Sequence, residues 1–170
     1  MTKLKIRVAT RKDVALLKDI IRSSFLDVAE RFGLTKENCP RHPSNCEAGW
    51  IEKDINRGVI YFILEEEGQA SGCAALEKIS DDLCYLERLA VLPHRRRHGL
   101  GKILVDHVLD EAKLSGAKRL NIGTIADQSQ LGNWYRKIGF AEIETKEFLH
   151  LPFRVRFMSY EIKANCIKSD

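Results

Sequence analysis

A β-like run, "LCYLERLAVL" at residues 83–92, passes without a break into "PHRRRHGLGK" and then into a long stretch of helical period. No other feature constrains the fold as much as this passage from strand to basic turn, glycines and helix. The first turn of a helix leaves N–H groups without partners, and these carry partial positive charge. Glycines let an anion approach such amides closely, and arginine adds bidentate contact to phosphate. Competing motifs fail on spacing. A dinucleotide-binding G-x-G-x-x-G is begun by Gly99 and Gly101, but Leu104 fills the third place. A P-loop needs glycine where Arg96 stands, and Ser or Thr where Ile103 stands. Zinc held by His94 and His98 would sit among three arginines. By spacing alone, a solvated basic turn and a phosphate site fit the stretch equally well.

The rest of the chain supplies the frame. "LKIRVA" alternates and predicts a first strand. Thr10 and Asp13 form an approximate capping box, followed by Val14, Leu17, Ile21, Phe25, Val28 and Phe32 at helical spacing, with Gly33 as the stop. Ser44 and Glu47 predict a second capping box, opening a short helix that ends at Arg57-Gly58. Three β-like runs follow, "VIYFILEE", "ASGCAALEKI" and the strand of the opening passage, separated by turn residues at Gly68-Gln69 and Ser80–Asp82. "EEE" at 65–67 reads as a solvated hairpin end. After the helix at 99–115 come a strand, "KRLNIGTI", and a helix capped by Asp127 and carrying Leu131, Trp134, Tyr135 and Ile138. A closing hairpin turns at Leu151-Pro152. The order β-α-α-β-β-β-α-β-α-β-β predicts an α+β (α/β/α) fold, one domain over residues 1–170, with helices on the faces of a mixed sheet.

Charge narrows the function. Basic residues number 28 and acidic residues 24, a net +4, so the basicity is local and suits a small anionic ligand better than nucleic acid. There is no exposed aromatic–basic alternation of the kind that grips single strands. The longest wholly apolar run, Val59 to Leu64, is too short for a membrane span. The charged N-terminus and five cysteines without framework spacing point to reduced thiols and a cytoplasmic protein. Cys39, His42 and Cys46 offer three zinc-type ligands in one loop, but no fourth lies nearby, and no metal is expected. His107, Cys73 and Cys84 read as packing residues.

"LERLAVLPHRRRHGLGKIL" resembles the central motif of the GCN5-related N-acetyltransferase (GNAT) superfamily, a strand followed by R/Q-x-x-G-x-G/A, met here by Arg96, Gly99 and Gly101. "WYRKIGF" resembles the family's Y-x-x-x-G-F through Tyr135, Gly139 and Phe140. The motifs span residues 83–140 in the family's order. The resemblance implies a sheet splayed between its fourth and fifth strands. Acetyl-CoA would enter that gap, its pantetheine arm along Leu89, Ala90 and Val91 and its pyrophosphate on the amides of Arg96, Arg97, His98, Gly99, Leu100 and Gly101. Arg96 and Arg97 would be the side-chain anchors, with help from Lys102. The family often carries Asn where Gln128 stands, and the longer amide is a weaker match for the pantetheine contact.

The implied activity is transfer of an acetyl group to a primary amine of a small molecule or peptide, by direct attack. A non-catalytic acyl-CoA sensor of the same fold is the alternative. Tyr135 matches the family's acid for the departing thiolate; otherwise it is a core tyrosine. Glu87, assigned to the same side of its strand as Leu89 and Val91, is the candidate base, directly or through water. Its alternative is a surface ion pair with Arg88 or Lys78. By family analogy Phe32, His42 and Trp50 border the acceptor, and the turn at 150–153 covers it. Homodimers are common in the family, but no sequence signature marks one here.

Overall fold

In the computed structural model, which describes residues 1–164, the alternating N-terminal segment forms β1 (Leu4–Val8). The Thr10–Asp13 capping box is present, and its short 3-10 turn leads into α1 (Val14–Phe32). Gly33, with φ 62°, ends α1 in the left-handed conformation that glycine tolerates best. α2 is Ala48–Asn56. β2 (Ile60–Glu66) and β3 (Gln69–Lys78) are joined by Glu67-Gly68, both with positive φ, as a two-residue hairpin requires. β4 is Leu83–Val91, α3 Leu100–Leu114, β5 Arg119–Ile125 and α4 Ser129–Ile138. β6 (Ala141–Lys146) and β7 (Val155–Glu161) close the chain. Cys166 lies outside the described residues.

The strands form one sheet in the order β1-β2-β3-β4-β5-β7-β6. Only β4 and β5 are parallel, as expected for strands joined through a helix. Alternation along β2 explains its unbroken apolar run. Tyr61 and Ile63 pack with Leu17, Ile21 and Ile51 under α1 and α2, while Phe62 and Leu64 pack with Leu104 and Val108 under α3. Both faces are covered, so both phases of the strand must be apolar. Among the described residues no helix is long and apolar enough to cross a membrane.

Three local expectations fail. Ser44 does not cap α2: His42 Nδ1 accepts from Ser44 N–H and caps a separate 3-10 turn, Pro43–Asn45, and the residue before α2 is Glu47, without a side-chain bond. Nor does Asp127 cap α4; the N-cap is Gln128, and Asp127 faces Arg154 at 3.7 Å. The acidic run at 65–67 is exposed only at Glu67, in the hairpin turn. Glu65 meets Arg7 at 2.7 Å, buried Glu66 binds Arg95 and Ser71, and Glu67 accepts from Lys3 N–H at 2.6 Å. Asp127, Glu65 and Glu66 are taken by partners distant in sequence, whereas Ser44 is taken by its near neighbour His42.

β4 and β5 pair only from Leu83–Tyr85 with Arg119–Asn121, and beyond that they diverge. A β-bulge interrupts β4 in the diverging part. Cys73 opposes Ala90 but Ala75 opposes Glu87, so Ala74 faces two residues, Arg88 and Leu89, and Arg88 takes φ 50°. The extra residue reverses side-chain parity. Leu86 packs toward α3, yet Ala90, four residues on, packs toward α1. Glu87 therefore shares the α1 side with its partner Ala75, while Leu89 and Val91 face α3. This corrects the expectation that the three share one face.

Candidate active site

Past the bulge, Leu92 N–H donates to Ser71 O at 2.9 Å. By antiparallel alternation the amide groups of Ala90 then point to β3, and those of Leu89 and Val91 point into the gap beside β5. A cleft of about 430 Å³ continues from there over Val91, Arg97, Gly99, Gly101, Lys102 and Trp134. Among the described residues, the N–H groups of 97 to 102 donate to no acceptor; the first amide of the α3 ladder to do so is Ile103, to Gly99 O. A run of free amides at a helix N-terminus is an anion cradle. Arg97, within it, adopts φ 65°, a conformation uncommon outside glycine and concentrated at functional sites.

The three arginines of the turn have separate jobs. Arg95 is bound to Glu66 at the end of β2, and this ion pair, with the Ser71 hydroxyl, holds the Glu66 carboxyl down to about 2. Arg96 reaches α1, where it meets Asp27 Oδ2 at 2.6 Å and Ser24 O, and its Nε donates to Val91 O at 3.2 Å. Its guanidinium is thus committed to holding the turn, so the expected anchor role does not suit its side chain. Arg97 is exposed and has no ion pair among the described residues. Lys102 pairs with Asp106 on the α3 surface at 2.7 Å. His98 Nδ1 hydrogen-bonds Arg96 O at 2.8 Å and stiffens the turn.

A second cleft of about 380 Å³ opens at the gap. Glu87 and Tyr135 both line it, with Phe25, Arg41, Gln128 and Phe153. Tyr135 is buried, stacked edge-on with Trp134 and Phe140, and among the described residues its hydroxyl has no hydrogen-bond partner. Burial and the nearby Glu87 raise its pKa well above the ordinary phenol value. Among the described residues Glu87 makes no ion pair; Arg88 turns to Asp54 at 3.6 Å and Lys78 to Asp81 at 3.4 Å. Its carboxyl is pushed up to about 7, first by desolvation between the cleft walls and then by Glu77. The side chain itself still meets solvent in the open cleft, so a ligand that displaced this water would add to the shift.

The expected acceptor neighbours divide. His42 and the turn residue Phe153 line the second cleft; Phe32 and Trp50 do not. Burial lowers the His42 pKa below that of a free imidazole. Phe32 packs with Ala29, Leu34 and Ile125, and Trp50 lies beneath two guanidinium groups. Phe25, Val28, Arg41 and Arg88 were missed as lining residues. Phe25 and Val28 were already on the apolar stripe of α1, but nothing in that stripe tells a core contact from a cleft wall. Cys39, Cys46, Cys73 and Cys84 are buried free thiols. His107 is half-buried against the Phe62 ring, 4.7 Å between centroids.

Residues 24–140 match the family model described as "Acetyltransferase (GNAT) family". The chain belongs to the GNAT acetyltransferase family. Among curated relatives of this GNAT chain, the amino-acid acetyltransferase of Neisseria meningitidis is 35% identical over 92 residues, covering 54% of this chain and 20% of the relative. The GNAT chain thus spans a fifth of that relative's length. Solved structures share the fold over almost the full length. The ribosomal-protein-S18-alanine N-acetyltransferase from Escherichia coli superposes with TM-score 0.77 at 18% identity, covering 98% of both chains. The PaiA N-acetyltransferase from Thermoplasma acidophilum, in complex with coenzyme A, gives 0.74 at 17%, covering 94% of this chain and 99% of that one. The splayed β4–β5 pair and the amide cradle of the GNAT chain lie within the matched residues.

Proposed function

We propose that the chain is an N-acetyltransferase that moves an acetyl group from acetyl-CoA to a primary amine by direct attack. The single observation that carries this reading is the run of free amides at 97–102, opening onto the gap flanked by Tyr135 and Glu87. The pyrophosphate takes those amides, with Arg97 as the side-chain anchor and Lys102 beside it. The pantetheine arm takes the gap-facing groups of Leu89 and Val91, which mimics a strand pairing and depends little on side chains. Gln128, on the wall of the second cleft, meets the same arm. Bound there, the cofactor supplies an activated acetyl group as its thioester.

Three demands remain for the protein. An alkylammonium has pKa about 10 and no lone pair, so a base must remove a proton. Glu87 does this from the α1 side of the sheet, directly or through one water. The oxyanion that forms on the acetyl carbon needs a donor, and a gap-facing N–H beyond the Arg88 bulge supplies it. As the new C–N bond forms and the C–S bond breaks, Tyr135 gives its proton to the departing sulfur, and the proton that the attacking nitrogen then loses returns to Tyr135 through water. Its raised pKa keeps it protonated across neutral pH. An acetyl-CoA supply and buried reduced thiols both suit work in the cytoplasm.

Calorimetry with acetyl-CoA, followed by thiol release across a panel of amines, tests the proposal. Binding with a submillimolar Kd and amine-dependent thiol release are expected. Binding without release from any amine would favour a sensor. No binding would remove the reading altogether.

A further inference from the structure

The second cleft carries a cation that the chemistry above does not use. Arg41 lies on its wall, exposed, and has no carboxylate partner among the described residues. Its guanidinium lies over the Trp50 ring, 4.5 Å from the centroid. Arg88 lies over the same ring at 5.7 Å, but Asp54, 3.6 Å away, already answers its charge. Stacking on a packed indole restricts a side chain that would otherwise sample many rotamers, while the planar fork stays free to bind. Burial of His42, on the same wall, disfavours its charged form. The charged groups of the cleft are therefore Glu87, which faces the amine, Arg88, which is paired, and Arg41, which is not.

From this arrangement we propose that the acceptor is a small amine bearing a carboxylate, and that Arg41, held by Trp50, is the residue that selects it. The inference rests on the transferase reading and narrows its substrate. Amine and carboxylate would meet opposite charges, Glu87 and Arg41, on one cleft wall. A polyamine would bring excess positive charge against an unpaired guanidinium. A peptide N-terminus lacks the neighbouring carboxylate, because its carboxyl carbon is an amide. The Arg41–carboxylate pair would be bidentate and charge-assisted.

The test compares amino acids with their C-terminal amides, which share the amine and lack the carboxylate. Wild-type protein is expected to use the acids with kcat/KM about tenfold or more above the amides, the size of one charged hydrogen-bonded pair. Arg41→Ala should bring that ratio close to one, and Arg41→Lys should recover part of it. Trp50→Phe, which keeps the charge and a ring, should lower the ratio less than Arg41→Ala. Equal use of acid and amide by wild type, or preference for spermidine or a peptide N-terminus, would overturn the inference while leaving the transferase reading intact. A second readout is independent of turnover: thermal shifts of wild type and Arg41→Ala with acid against amide. Greater stabilisation by acids, dependent on Arg41, is expected. Equal shifts would sink the inference whether or not the protein transfers acetyl groups.

Discussion

Glu87 and Leu89 stand two residues apart on β4 and face opposite sides of the sheet, because the bulge at Arg88 inserts one residue between them. The strand thus offers Glu87 toward α1 and the second cleft, and Leu89 toward α3, at the place where the first and second clefts meet. Base and cofactor would reach the gap from different faces, which leaves room for an amine to approach the thioester.

Glu87→Gln should lower kcat by about a hundredfold, the low end for loss of a general base. In wild type, the rate should rise with pH through about 7 as the carboxylate forms, and this limb should vanish in the variant. A pH–rate profile of kcat/KM reads both.

The same carboxyl fixes the sign of a stability effect. Its folded value is about 7 against an ordinary 4.5, so the folded state binds more protons across that interval. Stability contributed by Glu87 is therefore present at low pH and lost as pH rises from about 4.5 through 7. The group meets solvent, so the effect is screened and small. Glu87→Gln should raise Tm relative to wild type at pH 8 but not at pH 4. A lowering at pH 8 would mean that the carboxylate is stabilised by a partner.

Tyr135→Phe should bind acetyl-CoA as tightly as wild type, since the ring packing against Trp134 and Phe140 survives. Its kcat should fall by about tenfold to a hundredfold. Calorimetry and thiol release on the same sample separate the two effects, and full turnover would remove the acid role.

Arg96 and Arg97, adjacent in sequence, should behave differently. Arg97→Ala should weaken acetyl-CoA binding by about tenfold with little change in Tm. Arg96→Ala should cost about 1–3 kcal/mol of stability, because Val91 O, Ser24 O and Asp27 lose their donor. Parallel denaturation and calorimetry distinguish the roles.

Gly72 admits no side chain. A Cβ there would lie 2.5 Å from the carbonyl oxygen of Ala90, and backbone cannot yield as a flexible side chain can. Gly72→Ala should destabilise by about 1–3 kcal/mol and weaken acetyl-CoA binding, because it pushes on the segment of β4 that faces the gap. Thermal unfolding and calorimetry measure the two effects.

Much of this was legible from local pattern. The order of elements, the Thr10–Asp13 box and the glycine stop of α1 all depend on neighbours within a few residues. Free amides in the turn were legible because a strand–glycine–helix junction leaves some wherever it occurs; the expected stretch was 96–101, and the free run is 97–102. Parity on β4 was not, since a bulge forms against the opposing strand and leaves no mark in the residues it displaces.

The sequence by itself determined the layers of the fold and the strand–glycine–helix junction, because periodicity and backbone chemistry are local, while the candidacy of Tyr135 came from the resemblance to the family's motif. The tertiary structure alone decided which of three consecutive arginines is free, which face Glu87 takes, and that Arg41 stands on Trp50. The first two depend on partners that lie far along the chain, such as Glu66 for Arg95, Asp27 for Arg96 and Ala75 for Glu87; Arg41 and Trp50 are nearer in sequence, but the turn between them must fold before they stack.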